Sequence, residues 1–401
     1  MRIDFSSFKK VDNLGVGSLV VLAVKNCNHS KALKDRSHEL DEGHKNQDYS
    51  KIFMELRGQI DDGFVALTPL LPNFSLDHAF WKIEGKEPRG VAVRFDFTVI
   101  GFVDRLVVLR TNTGKILKEI ENPLFRNIHS VNFSKNNPMR VLVCCTGTES
   151  ILEIDIGTGN VCWEWFAWDN GFNTNPRGLT LVRLGKESAY KNKIFIIDHK
   201  DAKKKLLSKD PCDKHAISID MGNIENLLGL EKWQKSVDPN WATYGCDDQT
   251  ILATFLYRGV AVEISRNDGT VKTLISDLNR PHGLIKYEDG YVVSDTRNGA
   301  VLILDKEGKK TKQVDFSNLD SHSNEGKEWI QNTHQLDCGL LATIDSKRNR
   351  IYLWNPIEKT YSVLPFPENY ALQSVRTVYR PASPTINWWE TLWKNERGQQ
   401  E

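Results

Sequence analysis

The stretch PHGLIKYEDGYVVSDTRNGAVLILDKEGK, residues 281 to 309, decides the fold. It reads as a short apolar strand, a turn, two alternating strands, and a Gly-containing turn before a last strand, which is one four-stranded unit. Its opening phrase, PHGL at 281 to 284, recurs as PRGV at 88 to 91 and PRGL at 176 to 179, so the chain is a repeat. Further copies that lack the phrase show in their second and third strands, VLVCCTGTESILEIDIGTG from 141, TILATFLYRGVAVEISRNDG from 250 and LLATIDSKRNRIYLWNP from 340. Counting back places the repeat starts at Arg89, His129, Arg177, Ala242, His282 and His334, with spacings of 40, 48, 65, 40 and 52 residues.

Four short strands repeated every 40 to 50 residues or so predict an all-β fold, a β-propeller, because a blade of this size buries its faces only against two neighbours. The chain ends supply a further blade. ALQSVRTVYR (371 to 380) reads as a first strand, and GSLVVLAV, GFVALTPLL and AFWKIEG within the first 85 residues read as the other three. The expectation is therefore seven blades in one domain spanning residues 1 to 401, its ring closed by the N- and C-terminal strands; six blades with an added N-terminal domain is the alternative. Three segments interrupt the pattern: a charged, helical insertion at 25 to 60, a long insertion in the third blade at 201 to 235, and an amphipathic tail at 385 to 401 that carries Trp388, Trp389 and Trp393. The tail reads as docking on the propeller or as a surface for a protein partner rather than as a membrane anchor.

Composition excludes several classes. The 53 Lys and Arg against 52 Asp and Glu leave a net charge of +1, which gives no field to gather nucleic acid or an anionic membrane. The polar N-terminus lacks a secretory signal, and the apolar run at 15 to 24 is too short to span a bilayer, so the protein is expected to be soluble and cytoplasmic. Seven cysteines without CxxC spacing read as buried reduced thiols. No Gly-rich phosphate loop at a strand-to-helix junction points to a nucleotide cofactor, and no serine triad is visible.

In a propeller the first strand of every blade lines the central channel, so its starting residues form a ring at one mouth. The ring read from the repeat register is Arg89, His129, Arg177, Ala242 or the adjacent Trp241, His282, His334 and Gln373. Three neutral imidazoles converging on a point suit Zn, Fe or Cu, with His129, His282 and His334 as the ligands. Arg89 and Arg177 suit instead a sulfate, phosphate or carboxylate, beside which a histidine could serve as nucleophile or as general acid and base. A second ring, Thr146, Asp198, Asp295, Asp345 and Asp104, could orient the histidines or could simply bond turn backbone.

The segment RVLVCCTGTESILEIDIGTGNVCWEWF (140 to 166), following IHSVNFS, resembles the arylsulfotransferase family in its run ending in an aspartate, its Gly-containing turn and its Trp-Glu-Trp strand. The blade at 279 to 308 is similar to NHL-type and related propellers through P-x-G-L…V-x-D…N…I. The first resemblance implies sulfuryl transfer between phenols, with His282 or His334 carrying the group and His129 and Arg177 assisting, although typical bacterial members are exported and this chain shows no signal. The second family includes zinc-dependent lyases, which would place His129, His282 and His334 on the metal. The resulting expectation is a propeller enzyme acting on a small anionic or phenolic substrate through a channel histidine site, metal-dependent as a lyase, hydrolase or oxidase. Metal-free group transfer and a non-catalytic binding propeller are the alternatives.

Overall fold

The computed structural model describes residues 2–28, 60–175, 178–183, 193–197, 216–220, 229–230, 235–316 and 329–378, apart from single positions at 13, 16, 73, 179 and 337. Most of the expected insertion at 25 to 60, most of that at 201 to 235, and the Trp-rich tail therefore lie outside the described residues.

Strands β1 (Arg2–Asp4) and β2 (Lys9–Lys10) begin the chain, followed by β3 (Leu19–Val24), β4 (Asp62–Pro69) and β5 (Trp81–Lys86). One sheet holds β6 (Gly90–Arg94), β7 (Phe97–Gly101), β8 (Arg105–Arg110) and β9 (Ile116–Glu121). The next holds β10 (Ile128–Phe133), β11 (Arg140–Cys145), β12 (Ser150–Asp155) and β13 (Val161–Phe166). A three-stranded sheet follows, of β14 (Thr180–Arg183), β15 (Lys193–Ile197) and β16 (Ala216–Asp220). Then come β17 (Pro239–Tyr244), β18 (Thr250–Phe255), β19 (Val260–Ser265) and β20 (Val271–Ile275). Strands β21 (His282–Tyr287), β22 (Gly290–Asp295), β23 (Ala300–Leu304) and β24 (Lys310–Asp315) form the next sheet, with β1 added parallel to β24. Strands β25 (Ile330–Gln335), β26 (Leu341–Asp345), β27 (Arg350–Asn355) and β28 (Thr360–Pro365) form another, with β2 added parallel to β28. Finally β29 (Leu372–Thr377) pairs antiparallel with β3, so both chain ends share the sheet β29-β3-β4-β5.

Burial follows the position of a strand in its blade. β3 (LVVLAV) and β22 (GYVVSD) are buried almost end to end because both of their faces meet a neighbouring blade. The outer β5 (WKIEGK) alternates half-buried and exposed residues, as a strand with one wet face must.

The ring has six blades, which corrects the expectation of seven. Six apolar cores lie between successive sheets, and one of them joins β11 and β12 directly to β17, β18 and β19 through Leu142, Cys144 and Ile151 against Ala242, Tyr244 and Phe255. The sheet β14-β15-β16 does not separate these two blades. Direct hydrogen bonds cross the same junction: Asn132 Nδ2 donates to Ala242 O at 2.7 Å, the Ala242 amide to Ser130 Oγ at 3.0 Å, and the Cys144 thiol to Pro239 O at 3.2 Å. The closure is corrected too. The terminal strands complete the sixth blade rather than a seventh, no sheet closes on itself by hydrogen bonds, and what holds one blade to the next is the packing of its faces.

The phrase that misled the count has a physical explanation. In PRGV and PHGL the glycine lets two innermost strands approach: a Cβ on Gly90 would come within 2.7 Å of the Val131 amide, and one on Gly283 (φ +56°) within 2.8 Å of Asn332 Cβ. In PRGL the glycine, Gly178 (φ +79°), has nothing within 4 Å of the same position and serves only a turn.

Two buried carboxylates fasten the junction that skips the three-stranded sheet. Glu149 accepts from the amides of Ser236, Val237 and Asp238, from Ser236 Oγ and from Trp168 Nε1. Asp248 accepts from Ser134 Oγ and the amides of Lys135 and Asn136.

The N-terminal strap wedges Phe5 among Phe8, Phe316, Tyr352, Trp354 and Tyr361, with ring centroids 4.3 to 5.8 Å apart and no exposed surface. Phe5→Ala is predicted to cost about 3 kcal/mol of folding free energy, as fully buried Phe-to-Ala changes do. Denaturant unfolding with an unchanged m-value measures it.

Candidate functional site at the channel

The six innermost strands are β6, β10, β17, β21, β25 and β29. In four of them the pairing register slips at one residue, which the partner strand leaves unmatched: His129, Asn240, Gln331 and Gln373. In β21 the break falls between His282 and Ile285, and β6 is continuous. A bulge re-aims a side chain away from the strict alternation of a strand. Here every re-aimed residue is polar, in strands that are otherwise largely buried.

His129 and His282 come together, their ring centroids 5.7 Å apart, and Trp329 stands edge-on to His282 at 6.3 Å. His282 Nδ1 lies 3.1 Å from Arg280 O and 2.8 Å from Thr296 Oγ1. A carbonyl can only accept, so Nδ1 carries the proton and Nε2 keeps the lone pair. Burial is the main reason that the His282 pKa falls, to about 3, with Lys25, Arg280 and Arg89 adding repulsion and the Arg280 carbonyl bond opposing. His129 is pushed well below the usual histidine range by burial first, then by Arg89, His282, Lys25 and Lys235. Both imidazoles are therefore neutral, in a field of cations.

Arg89 pairs with Glu87 at 2.5 Å, while its buried Nε has no hydrogen-bond partner among the described residues. Gln373 is 2 % exposed and its Oε1 also lacks a partner. Asn240 is used structurally, donating to Pro281 O at 2.9 Å and accepting from Thr254 at 2.7 Å.

His334 does not join this pair. A repeat starting at THQL puts it at the beginning of a strand, but β25 begins at Ile330 and His334 is its fifth residue, three beyond the bulged Gln331. That is roughly 10 Å further along the strand at about 3.3 Å per residue. There it meets Arg376, whose Nη1 lies against both ring nitrogens, 2.5 Å from Nε2, and whose Nη2 donates to Asn132 Oδ1 at 3.0 Å. Trp241 lies 5.2 Å from His334 and 5.3 Å below the guanidinium. Among the described residues, no group of three or more His, Cys, Asp and Glu is disposed to hold a metal ion. Arg177 and Asp198 lie outside the described residues.

The second ring bonds backbone. Asp295 accepts from the Asn279 amide at 2.7 Å, Asp345 from the Trp329 amide at 3.1 Å, and burial raises the pKa of both. Thr146 Oγ1 donates to Asn127 O at 2.8 Å, and Asp104 pairs with Arg105 at 3.3 Å. Cys144 and Cys145 are free, buried thiols, and burial pushes Cys145 up to about 12. The residues that sequence reasoning missed are Arg376, Asn240 and Gln331. In ALQSVRTV and IQNTHQ, Arg376 and Gln331 stand among other polar residues, so nothing in the sequence set them apart.

The fold and the ring of inner strands define a β-propeller. No family model and no curated protein sequence matches the chain, so neither the arylsulfotransferase nor the NHL resemblance is shown. Among solved structures the chain is similar to one described as a nidogen/laminin complex, at 10% identity over 89% of this chain and 97% of that one, with a TM-score of 0.50. It is also similar to virginiamycin B lyase from Staphylococcus aureus (14% identity, 70% and 84% coverage, TM-score 0.40) and to a streptogramin B lyase (13%, 71% and 90%, 0.42). At 10% identity the first of these likenesses shows the fold alone. No helix among the described residues is long and apolar enough to cross a membrane.

The depressed histidines carry a pH signature. Between about 6.5, where an unfolded histidine titrates, and about 3, the unfolded chain takes up a proton that folded His282 refuses, so this contribution to stability falls as pH falls. Asp295 and Asp345, raised by burial, act in the opposite sense over the acid range. His282→Asn is predicted to flatten the loss between pH 6.5 and 4, read as a difference in unfolding free energy against wild type. The His282 ring resonances in wild type should still report a neutral imidazole at pH 5.

Proposed function

We propose that the protein takes a small molecule bearing an oxyanion at the channel mouth and acts on it by proton or group transfer through His282, with His129 as a second neutral imidazole beside it. What carries this reading is the pair of neutral imidazoles 5.7 Å apart beside a guanidinium whose Nε has no hydrogen-bond partner among the described residues. Nε2 of His282, with Nδ1 anchored to Arg280 O, is the basic atom left to meet a substrate. Its low pKa makes it a weak base in the empty site. An anion beside Arg89 would offset the repulsion from Arg89 and Lys25 and raise that pKa, so binding and proton uptake are linked. In the forward step an acceptor hydroxyl gives its proton to His282 Nε2 while its oxygen forms the bond to the transferred group; the bond to the leaving oxygen breaks, and that oxygen departs with its electron pair and takes the proton back from the His282 imidazolium. No step of this reading runs through a metal ion, because His334 stands with Arg376 rather than with His129 and His282.

The test is calorimetric titration and turnover with 4-nitrophenyl sulfate, with and without a phenol acceptor and EDTA. Expected are saturable binding that tightens from pH 8 to 6, proton uptake read from the dependence of heat on the buffer, and retention of both in EDTA. His282→Ala should abolish turnover, and Arg89→Gln should weaken binding at least tenfold. Binding indifferent to all of these substitutions would overturn the site. Loss of binding or turnover on chelation, restored by Zn, Fe or Cu, would overturn the metal-free form in favour of a metal-dependent one.

A further inference from the structure

Arg376 is a half-buried cation on which no carboxylate acts among the described residues. It extends from β29 to His334 on β25, Asn132 on β10 and Trp241 on β17, so it spans the channel between blades from different parts of the ring. Its hydrogen-bond partners are neutral: an imidazole, a side-chain amide oxygen and, at 3.5 Å, the Val375 carbonyl. Among the described residues no carboxylate acts on it, and burial alone lowers its pKa, to about 9. His334 is held neutral by burial and by Arg376 itself, so it relieves none of the charge. The residue is half-buried, so part of its surface stays accessible.

Three other shielded cations face carboxylates: buried Lys235 and the half-buried Arg140 and Arg266. Lys235 pairs with Asp238 at 2.5 Å, Arg140 with Asp155 at 3.2 Å, and Arg266 with Glu153 at 2.8 Å. Burying a guanidinium without a carboxylate costs stability that a purely structural role could avoid with an apolar side chain. The geometry also fixes its plane. Trp241 lies under it, Nη1 and Nη2 are held by His334 and Asn132, and Nε–H and a second Nη2 N–H meet no protein acceptor among the described residues. Two adjacent, coplanar N–H groups are the fork that a planar carboxylate accepts.

We propose that the channel holds a second subsite, about three residues deeper than the His129–His282 pair, in which Arg376 binds a carboxylate over Trp241. It rests on the reading of the mouth only in that a ligand reaching from His282 to Arg376 would carry its carboxylate at the end remote from the reacting group. Carboxylate binding itself does not depend on His282.

The experiment is calorimetric titration of the full-length protein with sodium benzoate, using wild type, Arg376→Gln, Arg376→Lys and His282→Ala, alongside thermal melting. Wild type and His282→Ala should bind benzoate with similar affinity. Arg376→Gln should weaken it at least tenfold, and Arg376→Lys, which keeps the charge and loses the fork, should fall between. Without benzoate, Arg376→Gln should melt at or above the wild-type temperature, since it relieves an uncompensated charge. A structural role would instead lower the melting temperature and leave benzoate affinity unchanged, and that result would overturn the subsite, as would failure of wild type to bind benzoate at millimolar concentration. Loss of benzoate binding in His282→Ala but not in Arg376→Gln would assign the carboxylate to the mouth and sink the deeper site alone.

Discussion

Everything in this molecule depends on apolar sheet faces meeting across the ring. A four-stranded blade on its own would leave both faces wet, and its ladder hydrogen bonds would not hold it together in water. Six such faces packed in sequence make six cores, and the chain ends are joined because β29 supplies the strand that β3, β4 and β5 lack. The same constraint crowds the innermost strands together. Close approach demands glycine at Gly90 and Gly283, and side-chain amides such as Asn132, Asn240 and Asn332 reach across to carbonyls of the next blade.

The packed ring also generates the polar channel. Where inner strands cannot keep an even register around a tight circle, residues bulge, and the bulged or adjacent positions carry His129, His282, Gln331 and Gln373. Desolvation then sets their chemistry. A histidine taken from water beside Arg89 loses its proton and becomes a neutral base, and Arg376 is a cation whose pKa burial lowers, with no carboxylate acting on it among the described residues. The deeply buried carboxylates Glu149, Asp248, Asp295 and Asp345 serve the fold instead, accepting backbone amides and holding loops against blades.

The propeller was legible because its signal is local. Alternating apolar residues, glycine turns and a period near 40 residues are properties of one blade, repeated, and the four strands around 281 to 315 fall where the pattern puts them. The sharing of one sheet by ALQSVRTVYR and GSLVVLAV was legible for the same reason, each being a recognisable blade strand without local partners. The number of blades was not. Pro176 to Leu179 copies the phrase, but whether a sheet enters the ring depends on whether its neighbours leave room, and Glu149 and Asp248 join the flanking blades directly.

The sequence by itself determined the class of fold and the blade pattern, because both follow from residue type and strand position. Tertiary structure alone decided that the ring has six blades, that His334 belongs with Arg376 rather than with the other histidines, and that Arg376 stands in the channel at all. Each of these turns on a bulge or on a junction between blades distant in sequence. A one-residue slip in register sends a side chain to the opposite face, and a three-residue error moves it to another level of the channel, so packing rather than pattern has the final word.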